Sequence, residues 1–253
     1  MKWLNGLIGM YLLAAVLLCA PANAQQSAVP PWQDPSVLGI NKLEARSEFS
    51  SYARIEDAVA VQPEKSPWLR SLNGKWKFSW TSRPADAPAN FHQPSFDDST
   101  WKTIPVPSCV ELYGFGIPIY TNITYPFPAK PPFVDERYNP TSSYRKLFTI
   151  PASFEGKRIR LRFDGVYSAF WVWLNGRKVG YSEDSKGPAE FDITDYVVKG
   201  TNVLAVQVYR WCDGSYLEDQ DMFRYSGIFR DVTIRAMPNV TVEDIDVKTD
   251  LDD

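Results

Sequence analysis

The chain has 253 residues, of which 44% are hydrophobic, 14% aromatic and 23% charged, and its 27 Lys and Arg against 30 Asp and Glu leave a net charge of -3. That scattered, slightly acidic balance implies no nucleic-acid partner, and length alone allows one large β domain or two small ones. One histidine, His92, three cysteines and no Cys-x-x-Cys pair exclude a zinc site of the usual soft ligands.

Residues 1–24 carry Lys2, an apolar run from Leu7 to Ala20 and a closing Ala22-Asn23-Ala24, the pattern of a cleavable secretory signal. The run is short for a bilayer span of about 20 residues, and Leu18 stands before Cys19 where a lipoprotein signal has a small residue. Cleavage after Ala24 is expected, giving a soluble exported product, periplasmic or secreted, with no membrane association after cleavage. Residues 25–65 contain Pro30, Pro31, Pro35 and Pro63 without a clean period and predict an extended arm lying over a larger body.

From Gly74 onward the period is two. Lys75 to Trp80 places Trp76, Phe78 and Trp80 on one face, and Arg158 to Phe163 alternates arginine with Ile159, Leu161 and Phe163. Arg158, Arg160 and Arg162 then read as a solvated face rather than a phosphate track. Residues 168–174 and 177–181 flank Asn175-Gly176, a dipeptide that accepts the positive φ angles of a type I′ turn, and predict a hairpin. Further strands are expected at 143–150, 189–193, 202–211 and 228–236, and the alternation from Val240 to Val247 reads as the start of another. No comparable stretch has helical periodicity. Many short strands broken by Gly, Pro and Asp turns predict an all-β antiparallel sandwich, with nine Trp and fourteen Phe supplying its core. Cys109 and Cys212 could pair in an exported protein or remain two buried thiols; their spacing fixes neither.

Two loops carry the chemistry. Residues 116–127 form a proline-punctuated loop whose strong polar group is Asn122, which can donate and accept toward a sugar hydroxyl or simply form a turn. Residues 210–232 hold Glu218, Asp219 and Asp221 among Trp211, Tyr216, Phe223 and Tyr225, a set that suits sugar recognition: carboxylates accept from hydroxyls and rings cover the apolar sugar face. A retaining glycosidase needs two carboxyl groups about 5 to 5.5 Å apart on rigid elements. An acidic loop is a poor place to set that distance, so no catalytic residue is expected here.

Ser71 to Trp76, Phe96 to Trp101, Pro118 to Asn122, Phe163 to Val166, Asp213 to Met222 and Ser226 to Val232 together resemble the amino-terminal domain of glycoside hydrolase family 2 β-galactosidases. The Tyr-Thr-Asn loop combined with Asp-Gly-Ser-Tyr-Leu-Glu-Asp-Gln-Asp is similar to the β-galactosidase branch rather than to glucuronidases or mannosidases. The resemblance implies a jelly-roll, galactose-binding-like sandwich over 66–238, with 239–253 opening an immunoglobulin-like domain that a catalytic barrel follows. It also implies that Asn122 and Asp221 bind substrate at the barrel mouth and that Asp221 gives part of a sodium site whose other ligands lie outside this chain. Sodium and magnesium are then expected in the full enzyme, along with a β-galactoside substrate, the remaining domains as partners and a homo-oligomeric state. The function so implied is hydrolysis of terminal β-D-galactosides with retention by an exported enzyme of which this chain is a fragment, inactive alone. A stand-alone carbohydrate-binding module and a structural remnant are the alternative readings. Asn122-Ile-Thr and Asn239-Val-Thr also match the glycosylation sequon.

Overall fold

The computed structural model describes residues 29–122, 124–218 and 221–251. The expected signal at 1–24, the first residues of the arm and Asp219 lie outside the described residues. In chain order the strands are β1 (Gly39–Ile40), β2 (Leu69–Ser71), β3 (Gly74–Thr81), β4 (Lys102–Val106), β5 (Tyr120–Thr121), β6 (Thr141–Thr149), β7 (Arg158–Phe163), β8 (Val166–Tyr167), β9 (Ala169–Leu174), β10 (Arg177–Ser182), β11 (Ala189–Asp192), β12 (Thr201–Tyr209), β13 (Met222–Phe223), β14 (Gly227–Ile228) and β15 (Val232–Met237). A seven-stranded sheet runs β1-β10-β9-β12-β6-β3-β4 and a four-stranded sheet runs β11-β7-β15-β2. Pairing is antiparallel throughout, and the non-sequential neighbours are the crossovers of a jelly-roll sandwich.

Alternation places the core. Trp76 and Phe78 of β3, Phe170, Val172 and Leu174 of β9, and Leu204, Val206 and Val208 of β12 join Ile159, Leu161 and Phe163 of β7 and Val232 and Ile234 of β15 in one buried cluster. Each is at every second position, so one face of each strand is removed from water while the other is left for different work. The hairpin stands where the sequence puts it: Asn175 has φ 53° and Gly176 φ 82°, and Leu174 pairs with Arg177 across the turn. The run expected at 228–236 divides into β14 and β15, because the backbone N–H groups of Phe229 and Arg230 turn aside to the Gly165 carbonyl. β4 carries Pro105, which an edge strand tolerates.

Two expectations are corrected. Arg160 and Arg162 are buried rather than solvated, because acids distant in sequence cover them. Arg160 meets Glu243 at 2.7 Å, Arg162 meets Glu48 at 3.1 Å and Asp164 at 2.5 Å, and Arg46 from the arm bonds Glu190 of β11 at 2.7 Å. Residues 240–251 form no strand; they lack a ladder partner and cross the outer face of the four-stranded sheet through Glu243 and through Asp244, which accepts from the Ser47 backbone at 2.8 Å. Val240, Val242 and Val247 are left exposed. Cys109 and Cys212 are both free thiols.

The arm joins the sandwich at both sheets. β1 pairs with β10 at one edge, Trp32 stacks on Tyr209 with ring centroids 4.2 Å apart, and a short helix, α1 (Ile55–Val59), lies farther along. The β1 contact depends on Gly180: a Cβ there would overlap the Ile40 carbonyl and come within 2.7 Å of the Phe191 ring. Gly180→Ala should therefore loosen the arm. Limited proteolysis should cut 29–65 at protease concentrations that leave the wild type intact, and an unchanged cleavage pattern would contradict this account.

Candidate functional site

The two loops meet as a ladder of their own. Thr121 of β5 pairs with Met222 of β13, and Tyr120 with Phe223. Asn122 and Asp221 stand next in the chain at the Thr121–Met222 end of the ladder, each in a bend. Directly opposed residues share a face, so Tyr120 and Phe223 lie on one side, where the Tyr120 hydroxyl also reaches Asp221. That side is open: Tyr120 is 57% exposed and Phe223 55%, and Asn122 and Asp221 are exposed as well. The Tyr120 hydroxyl donates to Oδ1 of Asp221. This bond and the adjacent negative charge raise the phenol pKa above its ordinary value. Tyr120 meets the Phe223 ring edge-on at 5.4 Å, and Phe223 stacks on Tyr225 at 5.5 Å.

Two buried arginines fasten this ladder to the sandwich. Arg224 donates from its backbone N–H to the Ile119 carbonyl at 2.7 Å, and its side chain reaches the Glu218 carbonyl at 2.8 Å and the Thr121 hydroxyl at 3.3 Å. Arg210, fully buried at the end of β12, donates to the carbonyls of Ile117 at 2.9 Å and Arg224 at 2.5 Å. Burial lowers the Arg210 pKa, opposed by the Glu111 carboxylate, which lies 3.5 Å from its Nε. Glu111 in turn accepts from the Ser226 backbone at 2.9 Å and from its hydroxyl at 2.6 Å. One guanidinium thus satisfies carbonyls from both loops, which fixes their separation.

The other candidates have structural duties. Trp211 is buried against Phe127 and Val134. Tyr216 donates its hydroxyl to the Phe133 carbonyl at 2.6 Å, and Glu218 accepts from the backbone and hydroxyl of Ser185 at 2.8 and 2.6 Å. The sequence pattern therefore overcounts the groups on the open face, and it misses Arg210, Arg224 and Glu111, which no local motif distinguishes from ordinary surface charges. His92 stacks on Trp173 at 5.3 Å, and burial together with Lys178 and Arg145 lowers its pKa, which suits a neutral packed ring.

Behind the acidic loop, ligating atoms of Glu183, Cys212 and Asp213 lie within 4.8 Å of one another, all three residues buried. Burial is the main cause that pushes the Glu183 carboxyl up to about 8; Asp213 and Glu218 add to the rise, and the Tyr181 hydroxyl that donates to it opposes the rise. A carboxyl raised on folding stabilises the fold fully below its unfolded value of 4.5, and that contribution is lost as pH climbs to about 8. Glu183→Gln should remove this slope. Melting temperature followed across the same window should fall in the wild type and stay flatter in the variant; parallel curves would refute the protonated state.

A model of the family described as glycosyl hydrolases family 2, sugar binding domain, matches residues 69–238. The β-galactosidase of Vibrio vulnificus strain YJ016 is 47% identical over 224 residues, covering 87% of this chain and 21% of that protein. The β-galactosidase of Pectobacterium atrosepticum is 49% identical over 221 residues, with the same two shares, 87% and 21%. The Priestia megaterium β-galactosidase is 42% identical over 238 residues, 92% of this chain and 23% of that one. Among solved structures, an uncultured Clostridium sp. β-glucuronidase superposes with a TM-score of 0.54 at 26% identity, over 73% of this chain and 31% of the other. Bacteroides uniformis β-glucuronidase 2, covalently bound to cyclophellitol-6-carboxylate aziridine, gives a TM-score of 0.52 at 27% identity, over 68% and 18%. The chain spans about a fifth of the length of the curated relatives it matches. It belongs to glycoside hydrolase family 2, whose sugar-binding domain it carries.

Proposed function

We propose that this chain forms one wall of the galactose pocket of an exported β-galactosidase that hydrolyses terminal β-D-galactosides with retention. The observation that carries the reading is the β5–β13 ladder, which brings Asn122 and Asp221 to the same end of the pairing, both exposed, beside exposed rings. Support for galactose over glucuronic acid comes from identity: 42 to 49% to the three β-galactosidases, against 26 to 27% to the two glucuronidases. In this reading the Asn122 amide orients sugar hydroxyls by donating and accepting, and the Asp221 carboxylate accepts from an outer hydroxyl. Export is proposed on the Leu7 to Ala24 pattern.

The openness of the face supports a shared pocket. A sugar resting on Asn122 and Asp221 would be covered on one side by this domain and would need a second wall, here assigned to the remaining domains. The nucleophile and the acid/base carboxyl are assigned to those domains too, at the separation that retention requires. The reading extends to sodium and magnesium in the complete enzyme, and to its being a homo-oligomer. For sodium the fit on this side is chemical: Asp221 and Asn122 offer hard oxygen donors, and a bound cation would screen the carboxylate and orient a sugar hydroxyl. The rest of that shell, and the magnesium ligands, are placed outside this chain.

Asp221→Asn in the complete protein should lower kcat/KM for nitrophenyl β-galactoside by about ten- to a hundredfold, the loss of one hydrogen bond to a charged group. Nitrophenyl β-glucuronide should be a poor substrate for the wild type. Unchanged galactoside kinetics in the variant would remove Asp221 from the site, and glucuronide preference would overturn the substrate assignment. Calorimetry of residues 25–253 with galactose should show no binding at millimolar sugar, whereas binding there would point to a self-sufficient module.

A further inference from the structure

We propose that Tyr120 is a positioning residue that sets the orientation of the Asp221 carboxylate for sugar recognition. The inference rests on the galactoside reading above and adds to it a residue that the motifs leave without a role. Its ground is geometric. Tyr120 pairs directly with Phe223, which makes Asp221 its diagonal neighbour on the same face, within reach of a long side chain. The phenol uses that reach, donating to Oδ1 of Asp221.

An exposed aspartate in the bend just before a two-residue strand would otherwise sample several χ1 and χ2 settings, and ordering it on binding would cost affinity. A donor fixed on one oxygen selects one setting and leaves Oδ2 aimed for the ligand. The donor must itself be held, and here the rings do it. Tyr120 abuts Phe223 edge-on, and Phe223 lies against Tyr225 with an interplanar angle of 18°. Tyr225, Phe223, Tyr120 and Asp221 form a chain in which each member restricts the next. The phenol is suited to the task because it offers a hydroxyl donor and no charge. A lysine in its place would neutralise the carboxylate, while a phenol orients it and leaves its charge available.

The test is a double-mutant cycle in the complete protein with Y120F, which removes one hydroxyl from an exposed ring, and D221N. KM for nitrophenyl β-galactoside and the dissociation constant of a non-hydrolysed thiogalactoside, measured by calorimetry, are the readouts. Y120F should weaken thiogalactoside binding and raise KM by about five- to tenfold, with kcat changed less and the melting temperature unmoved. In the D221N background, the same substitution should have little further effect. Additive losses in the double variant, or a Y120F protein that binds like the wild type while D221N does not, would overturn the role of Tyr120 and leave the galactoside reading standing. A D221N protein with wild-type binding would overturn both. A fall in melting temperature with proportionate loss of kcat would mark Tyr120 as structural only and overturn the proposal.

Discussion

Two buried guanidinium groups set the geometry of the candidate site. A loop laid over a sandwich carries carbonyl groups that lose water and find no strand to bond, and each such group left unpaired is costly. Arg210 and Arg224 supply donors to the carbonyls of Ile117, Glu218 and of Arg224 itself, from inside the fold, where the guanidinium fork cannot swing away. The charge of Arg210 is admitted to the interior by Glu111, and Glu111 is held by Ser226 at the turn into β14. The 116–122 loop, the 218–224 loop and the sandwich edge are thereby tied through one hydrogen-bonded set. A two-residue ladder such as β5–β13 would not persist by its own hydrogen bonds; it is imposed by the arginines beneath it.

The inner faces of the strands were legible in the sequence because hydrophobic alternation is a local signal. Trp76 and Phe78, the Asn175-Gly176 turn and the Leu204, Val206 and Val208 set each announce themselves within a few residues. The outer faces were not legible in the same way. Arg160 and Arg162 alternate as solvent-facing residues do; besides the neighbouring Asp164, the acids that cover them, Glu48, Glu190 and Glu243, lie more than twenty residues away. Alternation from Val240 to Val247 has the period of a strand, but a strand needs an edge to pair with, and the segment runs over side chains instead. In the acidic loop the candidates divide between buried and exposed duties in a way their residue types do not announce. Trp211 and Tyr216 have the rings a sugar would need, yet burial and the Phe133 carbonyl occupy them. The pairing that brings the two loops together is two residues long on each side, below what periodicity can reveal; the family resemblance, not the pattern, singles Asp221 out among the acids.

The covered arginine face also explains how an arm without a period can be part of the fold. Arg46 and Glu48 place one cation and one anion on a sheet face that already holds Arg160, Arg162, Glu190 and Arg235, so the arm completes pairs on both sides. Arg46 and Glu190 are a buried pair, whereas Glu48 keeps half its side chain in water; such pairs add little net stability over an apolar contact, but a shift of register would strand a charge without a partner. They therefore specify where the arm lies more than how tightly it is held. The contact of β1 with β10 and the stacking of Trp32 on Tyr209 supply the apolar and backbone share of the attachment.

The same distinction between placing and holding applies to the proposed sugar face. A hydrogen bond from an exposed carboxylate to a hydroxyl competes with water at nearly equal strength, so Asn122 and Asp221 in the open domain have small net affinity to offer. Covering the site from the other side changes the comparison, because water is removed and an unpaired hydroxyl or carboxylate then carries a large penalty. Discrimination among sugars comes from that penalty, and it is sharp only if the polar groups cannot shift to meet a wrong hydroxyl. A rigid ladder with its side chains directed in advance is what such a half-site requires. The arginines beneath the strands and the rings beside Asp221 give the exposed face that rigidity before any second wall closes over it.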